Sequence, residues 1–181
     1  MSPANWVTLL RILLVPFFFT ALVSYQPGEE HYRLAAFWIF LIAALTDAID
    51  GALARLLNQK TELGRFLDPL ADKLLLLSGF LGLLFVSALP YRPPLWITVT
   101  IVFRDLAVII AMITLYFLSG KFRIETHFLG KWTTAAQMIT LMAILLSLKV
   151  SPFLWNVTAI LTIVSGFVYI FRDFKLLKGA S

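Results

Sequence analysis

The stretch DAIDGALARLLNQKTELGRFLDPLAD, residues 47–72, places Asp47, Asp50, Asp68 and Asp72 between two of the most apolar runs of the chain. At 100° per residue, Asp47 and Asp50 share one face of a helix, with Ala54 and Arg55 following within two turns. Gly64, Asp68 and Asp72, each four apart, line one face of a second helix. Between them NQKTEL is polar, and Asn58 and Thr61 are residues that form turns and cap helices. The pattern predicts a helix-turn-helix that brings both Asp pairs to one cavity. Pro69 admits two readings. It is the first helical residue with Asp68 as its N-cap, or it lies inside a helix that has begun near Gly64.

Outward from this stretch the chain is apolar almost throughout. Of its 181 residues 60% are hydrophobic and 14% charged, where an ordinary soluble domain has about 25% charged. Six apolar runs are long enough to cross a bilayer, which takes roughly 20 residues. They lie near 8–25, 33–56, 64–88, 94–119, 127–148 and 152–172. In hydrocarbon each segment must satisfy its own backbone, so the expected fold is all-α, a polytopic membrane protein with a six-transmembrane-helix bundle. No linker or repeat divides residues 1–181, which are read as a single domain. The first run lacks a clear cleavage site and is expected to be retained. The chain has no cysteine, which excludes disulfides and thiolate zinc sites.

Charge supplies the orientation. With the N-terminus in the cytoplasm, eleven of the fifteen basic residues fall on the cytoplasmic side, Arg11, Arg55, Lys60, Arg65 and Lys73 among them. Arg33, Arg92 and Lys149 fall outside, and Arg104 is left within a span. That asymmetry follows the positive-inside rule. It predicts both termini, the loop at 58–63, the segment 120–126 and the acidic segment on the cytoplasmic face of a bacterial-type cytoplasmic membrane. A basic surface of this kind meets anionic membrane lipids, and no nucleic-acid partner is expected.

One Asp at such a surface would cap a helix or pair with a neighbouring Arg or Lys. Four held together in a partly desolvated site repel one another strongly, and local cations offset only part of that. Oxygen ligands on helices, without His or Cys, suit hard cations. Two divalent cations, magnesium or manganese, would neutralise the four acids, and a metal pair is the arrangement used for in-line displacement at phosphorus. Gly51, Ala54 and Gly64 leave room beside the carboxylates for a group to approach the backbone, and Arg55 suits a phosphate oxygen. The alternative for each small residue is close helix packing.

At this point the sequence resembles the CDP-alcohol phosphatidyltransferases. Asp47, two residues, Asp50, Gly51, two residues, Ala54, Arg55, eight residues, Gly64, three residues, Asp68, three residues, Asp72 follows that family's signature position for position. Eight types at fixed spacing recur by chance on the order of 10⁻¹⁰ per start point at ordinary residue usage. The resemblance implies a membrane enzyme that transfers a phosphatidyl group from CDP-diacylglycerol to an alcohol and releases CMP. By position, Asp47, Asp50, Asp68 and Asp72 would hold the metals, and Asp72 would be the general base. Gly51, Ala54, Arg55 and Gly64 would line the CDP pocket. It further implies a homodimer.

The acceptor is read from two other places. Arg104 and Asp105 lie within span four, where charge is expensive and usually functional; the alternative is a mutual ion pair that fixes packing. In FLGKWTTAAQM, Lys131 starts span five, where it meets an anionic group or merely anchors the helix at headgroups. Arg104 and Lys131 are expected to serve an anionic alcohol acceptor. The N-terminal NWVTLLRILLVP and this stretch are similar to the phosphatidylglycerophosphate synthase and cardiolipin synthase branches. Glycerol 3-phosphate is the expected acceptor, with phosphatidylglycerol as the alternative. A divalent-cation transporter is a distant alternative of another class, disfavoured because all four acids cluster on one helix pair. His31 and His127 fall on opposite sides of the membrane and are assigned no role.

Overall fold

A computed structural model describes the backbone over residues 3–56, 62–119 and 128–178, and the side chains over 8–46, 67–111, 113–114 and 129–168. The described residues form six helices and no strand: α1 (Pro3–Val23), α2 (Glu30–Leu56), α3 (Glu62–Phe85), α4 (Leu95–Ser119), α5 (Phe128–Leu145) and α6 (Ser151–Lys178). Each matches one predicted apolar run. α1 starts five residues earlier than expected and α6 runs past residue 172. The helix α3 begins at Glu62, so Pro69 and Asp68 are both interior to it. The reading of Asp68 as an N-cap is thereby corrected.

The connections follow local chemistry. Pro27 and Gly28 make the turn between α1 and α2. Gly28 has φ +95° and the Glu29 amide donates to the Gln26 carbonyl at 3.0 Å, as a type II turn with Pro then Gly requires. At the end of α5, Ser147 takes the left-handed conformation at φ 54°. The Ser147 amide donates to the Ile144 carbonyl and that of Leu148 to Ala143, both at 2.9 Å, which is the Schellman pattern. The Ser147 hydroxyl in turn accepts from Arg33 of α2.

Helix α3 is the centre of the bundle, touching α1, α2, α4 and α5. It runs parallel to α1 in constant register. Thr8 meets Asp68 and Arg11 meets Asp72. Farther along, Phe18 lies against Gly79 and Leu22 against Gly82. The partners are offset by about 60 residues throughout. A Cβ on Gly82 would stand 2.6 Å from Leu22 Cδ2, so these glycines are what lets the two helices close. Phe18, Leu22, Phe40, Leu76, Phe80, Leu141 and Ile144 form the core around the contact, all inaccessible to solvent.

Beside this apolar core, charged and polar side chains are buried and large apolar ones are exposed. Arg11, Lys73, Arg104, Asp105, Gln137 and a set of threonines are buried, while Phe17, Phe85, Phe103, Ile110, Phe153, Ile160 and Phe167 are exposed. Among the described residues one helix is long and apolar enough to cross a membrane, α6 over Ser151–Val168.

Candidate active site

Asp68 and Asp72 stand one turn apart in the first half of α3, and each is gripped from α1. The Thr8 hydroxyl donates to Asp68 Oδ1 at 2.5 Å, and Arg11 Nη1 donates to Asp72 Oδ1 at 3.0 Å. Thr8 and Arg11 are three apart and so share a face, matched to acids that are four apart on the neighbouring helix. Both α1 side chains are 2% exposed, whereas the Asp72 side chain is 22% exposed. The carboxylates thus have a buried side held by α1 and an accessible side. Arg11 was expected as a cytoplasmic charge, and both it and Thr8 as part of the N-terminal stretch that carries the branch resemblance, with no role in holding the acids. The signal for both was present, since a threonine and an arginine on one face of an apolar helix need partners.

A second polar cluster begins at the next residue of α3. Lys73 Nζ donates to Asp105 Oδ1 at 2.9 Å and to Thr134 Oγ1 at 3.2 Å. Arg104 Nη1 donates to the same Asp105 oxygen at 2.8 Å, and its Nε and Nη2 donate to Ser165 Oγ at 3.2 and 3.0 Å. The cluster therefore ties α3, α4, α5 and α6 together in the interior. Two cations share one carboxylate, leaving a formal charge of +1 among these residues. Gln137 is fully buried one turn beyond Thr134. Lys73 was expected only as one of the cytoplasmic-side cations, and it turns inward to Asp105. The helix period predicts this, because Lys73 shares a face with the buried Leu76 and Phe80.

The expected site residues fall as follows. Asp47, Asp50, Gly51, Ala54 and Arg55 lie on the last turns of α2, and Gly64 on the first turn of α3; their side chains lie outside the described residues, as does the connection at 57–61. α2 and α3 are in contact. Arg104 makes the ion pair with Asp105 that was the alternative reading of that site. Lys131 is exposed one turn into α5. His31 lies against Tyr32, ring centroids 4.2 Å apart, and His127 lies outside the described residues. Among the described residues no three acids or histidines come together. The donor chemistry nonetheless fits a hard divalent cation, since the two described carboxylates are adjacent, partly open and unaccompanied by imidazole or thiolate.

Comparison with known proteins gives a consistent picture. A family model described as CDP-alcohol phosphatidyltransferase matches residues 1–170. The chain is 35% identical over 195 residues to the CDP-diacylglycerol–glycerol-3-phosphate 3-phosphatidyltransferase of Bacillus subtilis, covering 98% of this chain and 97% of that protein. The protein of the same name from Aquifex aeolicus is 34% identical over 166 residues, covering 91% and 88%. That of Escherichia coli K12 is 36% identical over 138 residues, covering 75% and 71%.

Proposed function

The chain belongs to the CDP-alcohol phosphatidyltransferase family, and from that premise we propose that it transfers the phosphatidyl group of CDP-diacylglycerol to glycerol 3-phosphate and releases CMP. The observation that carries the proposal is the Asp68–Asp72 pair, partly open on α3 and immediately followed by the buried Lys73–Asp105–Arg104 cluster. The names of the relatives supply the acceptor.

In the proposed reaction the acceptor hydroxyl oxygen bonds to the phosphorus that carries the diacylglycerol, the bond from that phosphorus to the CMP oxygen breaks, and CMP leaves with the electron pair. Asp72 takes the hydroxyl proton as general base. Asp47, Asp50, Asp68 and Asp72 would hold two divalent cations, which when bound screen the pyrophosphate and the charge developing on CMP. Arg55 binds the CDP phosphates, with Gly51, Ala54 and Gly64 leaving room for the nucleotide. Arg104 and Lys131 serve the acceptor phosphate. The burial of Arg104 in the interior of the bundle supports its part in this assignment, because a charge kept within a span is usually functional.

The exposed large apolar side chains around buried charged ones support a bundle embedded in lipid with six spans, and the asymmetry of basic residues supports the acids on the cytoplasmic side. So many exposed large apolar side chains, Phe17, Phe85, Phe103, Phe153 and Phe167 among them, are unusual for a soluble monomer. This placement also accounts for how substrates of opposite solubility meet. The lipid stays in the leaflet while nucleotide, cation and glycerol 3-phosphate arrive from the cytoplasm.

The test is an acceptor screen with purified protein, CDP-diacylglycerol and magnesium, reading CMP release. Glycerol 3-phosphate is expected to support turnover, with phosphatidylglycerol, inositol phosphate and serine inert. Turnover with phosphatidylglycerol and none with glycerol 3-phosphate would overturn the acceptor assignment in favour of a cardiolipin synthase.

A further inference from the structure

The divalent-cation reading leaves open how two carboxylates on one turn of a helix keep a fixed arrangement before a cation arrives. Free Asp side chains rotate about two torsions and repel each other, and ordering them at the moment of binding costs affinity. The parallel packing of α1 on α3 answers this. Thr8 and Arg11, both buried, reach the two acids in succession, and each bond goes to an Oδ1 oxygen. The register that aims them is set farther along the same contact, where Phe18 and Leu22 seat against Gly79 and Gly82. Gly82 lies about 15 Å along the helix from Asp72 at 1.5 Å per residue.

We infer that Thr8 and Arg11 are positioning residues for the transfer reaction, holding Asp68 and Asp72 in cation-ready rotamers from α1. The inference rests on the divalent-cation reading above. Neither residue touches substrate in this assignment; each acts through the carboxylate it holds. Thr8 does so as a neutral donor that leaves the charge of Asp68 intact. Arg11 does so through a rigid planar fork, which a lysine would not reproduce.

The experiment is manganese binding to the full-length protein in detergent without substrate, followed by electron paramagnetic resonance, with thermal unfolding measured in parallel in chelator. Thr8→Val removes the hydroxyl at constant shape and is expected to weaken manganese binding about tenfold, the worth of one hydrogen bond to a charged group. Thr8→Ser is expected to restore it. Arg11→Lys is expected to lower kcat for CMP release about tenfold by the same measure at unchanged KM for CDP-diacylglycerol. If the Val and Lys variants lower the unfolding temperature in chelator but leave manganese affinity and kcat at native values, α1 is only a packing helix and the inference is overturned. If the native protein binds no manganese, the divalent-cation reading fails first and takes the inference with it. Should Thr8→Val not yield folded protein, the kcat of Arg11→Lys decides, native turnover counting against the inference.

Discussion

Asp105 Oδ1 accepts from Lys73 and Arg104 at once, which makes this carboxylate the hinge of the interior. Asp105→Asn keeps the shape and leaves two buried cations without a counter-charge, and breaking a buried pair in this way costs about 3 to 5 kcal/mol. The expected outcome is a large fall in the unfolding temperature in detergent, read by a thermal shift assay. Arg104→Gln has a different expected effect. With Lys73 still paired to Asp105 the charge balances, and the loss appears as a roughly ten- to hundredfold higher KM for glycerol 3-phosphate, the worth of about 1.5 to 3 kcal/mol, with KM for CDP-diacylglycerol unchanged in steady-state kinetics. At the acids themselves, Asp68→Asn removes a ligand charge at constant size. CMP release is expected to vanish in that variant, as it should in native protein given excess chelator, and to return in the native protein alone when magnesium is added. The pairing of Asp68 with Asp72 was legible in residues 47–72, because its spacing is local to one helix. Which groups Thr8 and Arg11 would meet was not, because their partners stand 60 and 61 residues away and nothing in a helix period says which neighbour a polar face will meet.

The glycines divide the helices into contacts that tolerate a methyl group and contacts that do not. A Cβ on Gly79 would collide with Leu141 and crowd Phe18 at 3.3 Å, and both side chains are fully buried. Gly79→Ala is expected to destabilise by about 1 to 3 kcal/mol, the usual cost of overpacking. At Gly166 the same atom would meet only Arg104 Cγ at 3.9 Å, an ordinary contact, so Gly166→Ala is expected to gain about 0.5 to 1 kcal/mol from helix propensity. Opposite shifts of the unfolding temperature for the two variants are the check. The helices themselves were legible from apolar runs, since the period and length of such runs reflect the backbone requirement directly. Pro69 was ambiguous because proline suits a helix start and yet is tolerated inside a helix in an apolar setting. The direction of Lys73 was not read from the charge pattern, which counts it only as a cytoplasmic-side cation, whereas its place on the buried stripe with Leu76 and Phe80 decides it.

At the scale of the molecule, the asymmetry of basic residues sets the expected topology, and the absence of cysteine makes it directly measurable. A single cysteine at Lys60 is expected to be shielded from a membrane-impermeant maleimide in intact cells and labelled after permeabilisation, while one at Lys149 is labelled in both. Labelling at Lys60 from outside would reverse the layout. The exposed Phe and Ile surface was implied by composition, but which faces carry it depends on how α3 gathers its neighbours. The parallel pairing of α1 with α3 also has a consequence in time. The four acids, and the Thr8 and Arg11 that hold two of them, all lie within residues 8–72, so a ribosome working at roughly 5 to 20 residues per second has delivered them before the first residue of α4. The cation cluster cannot close until Ser165 has followed. The carboxylate half of the protein is therefore ready to assemble seconds before the half that holds the buried charge exists, and α3 is the surface on which α4 and α5 must land.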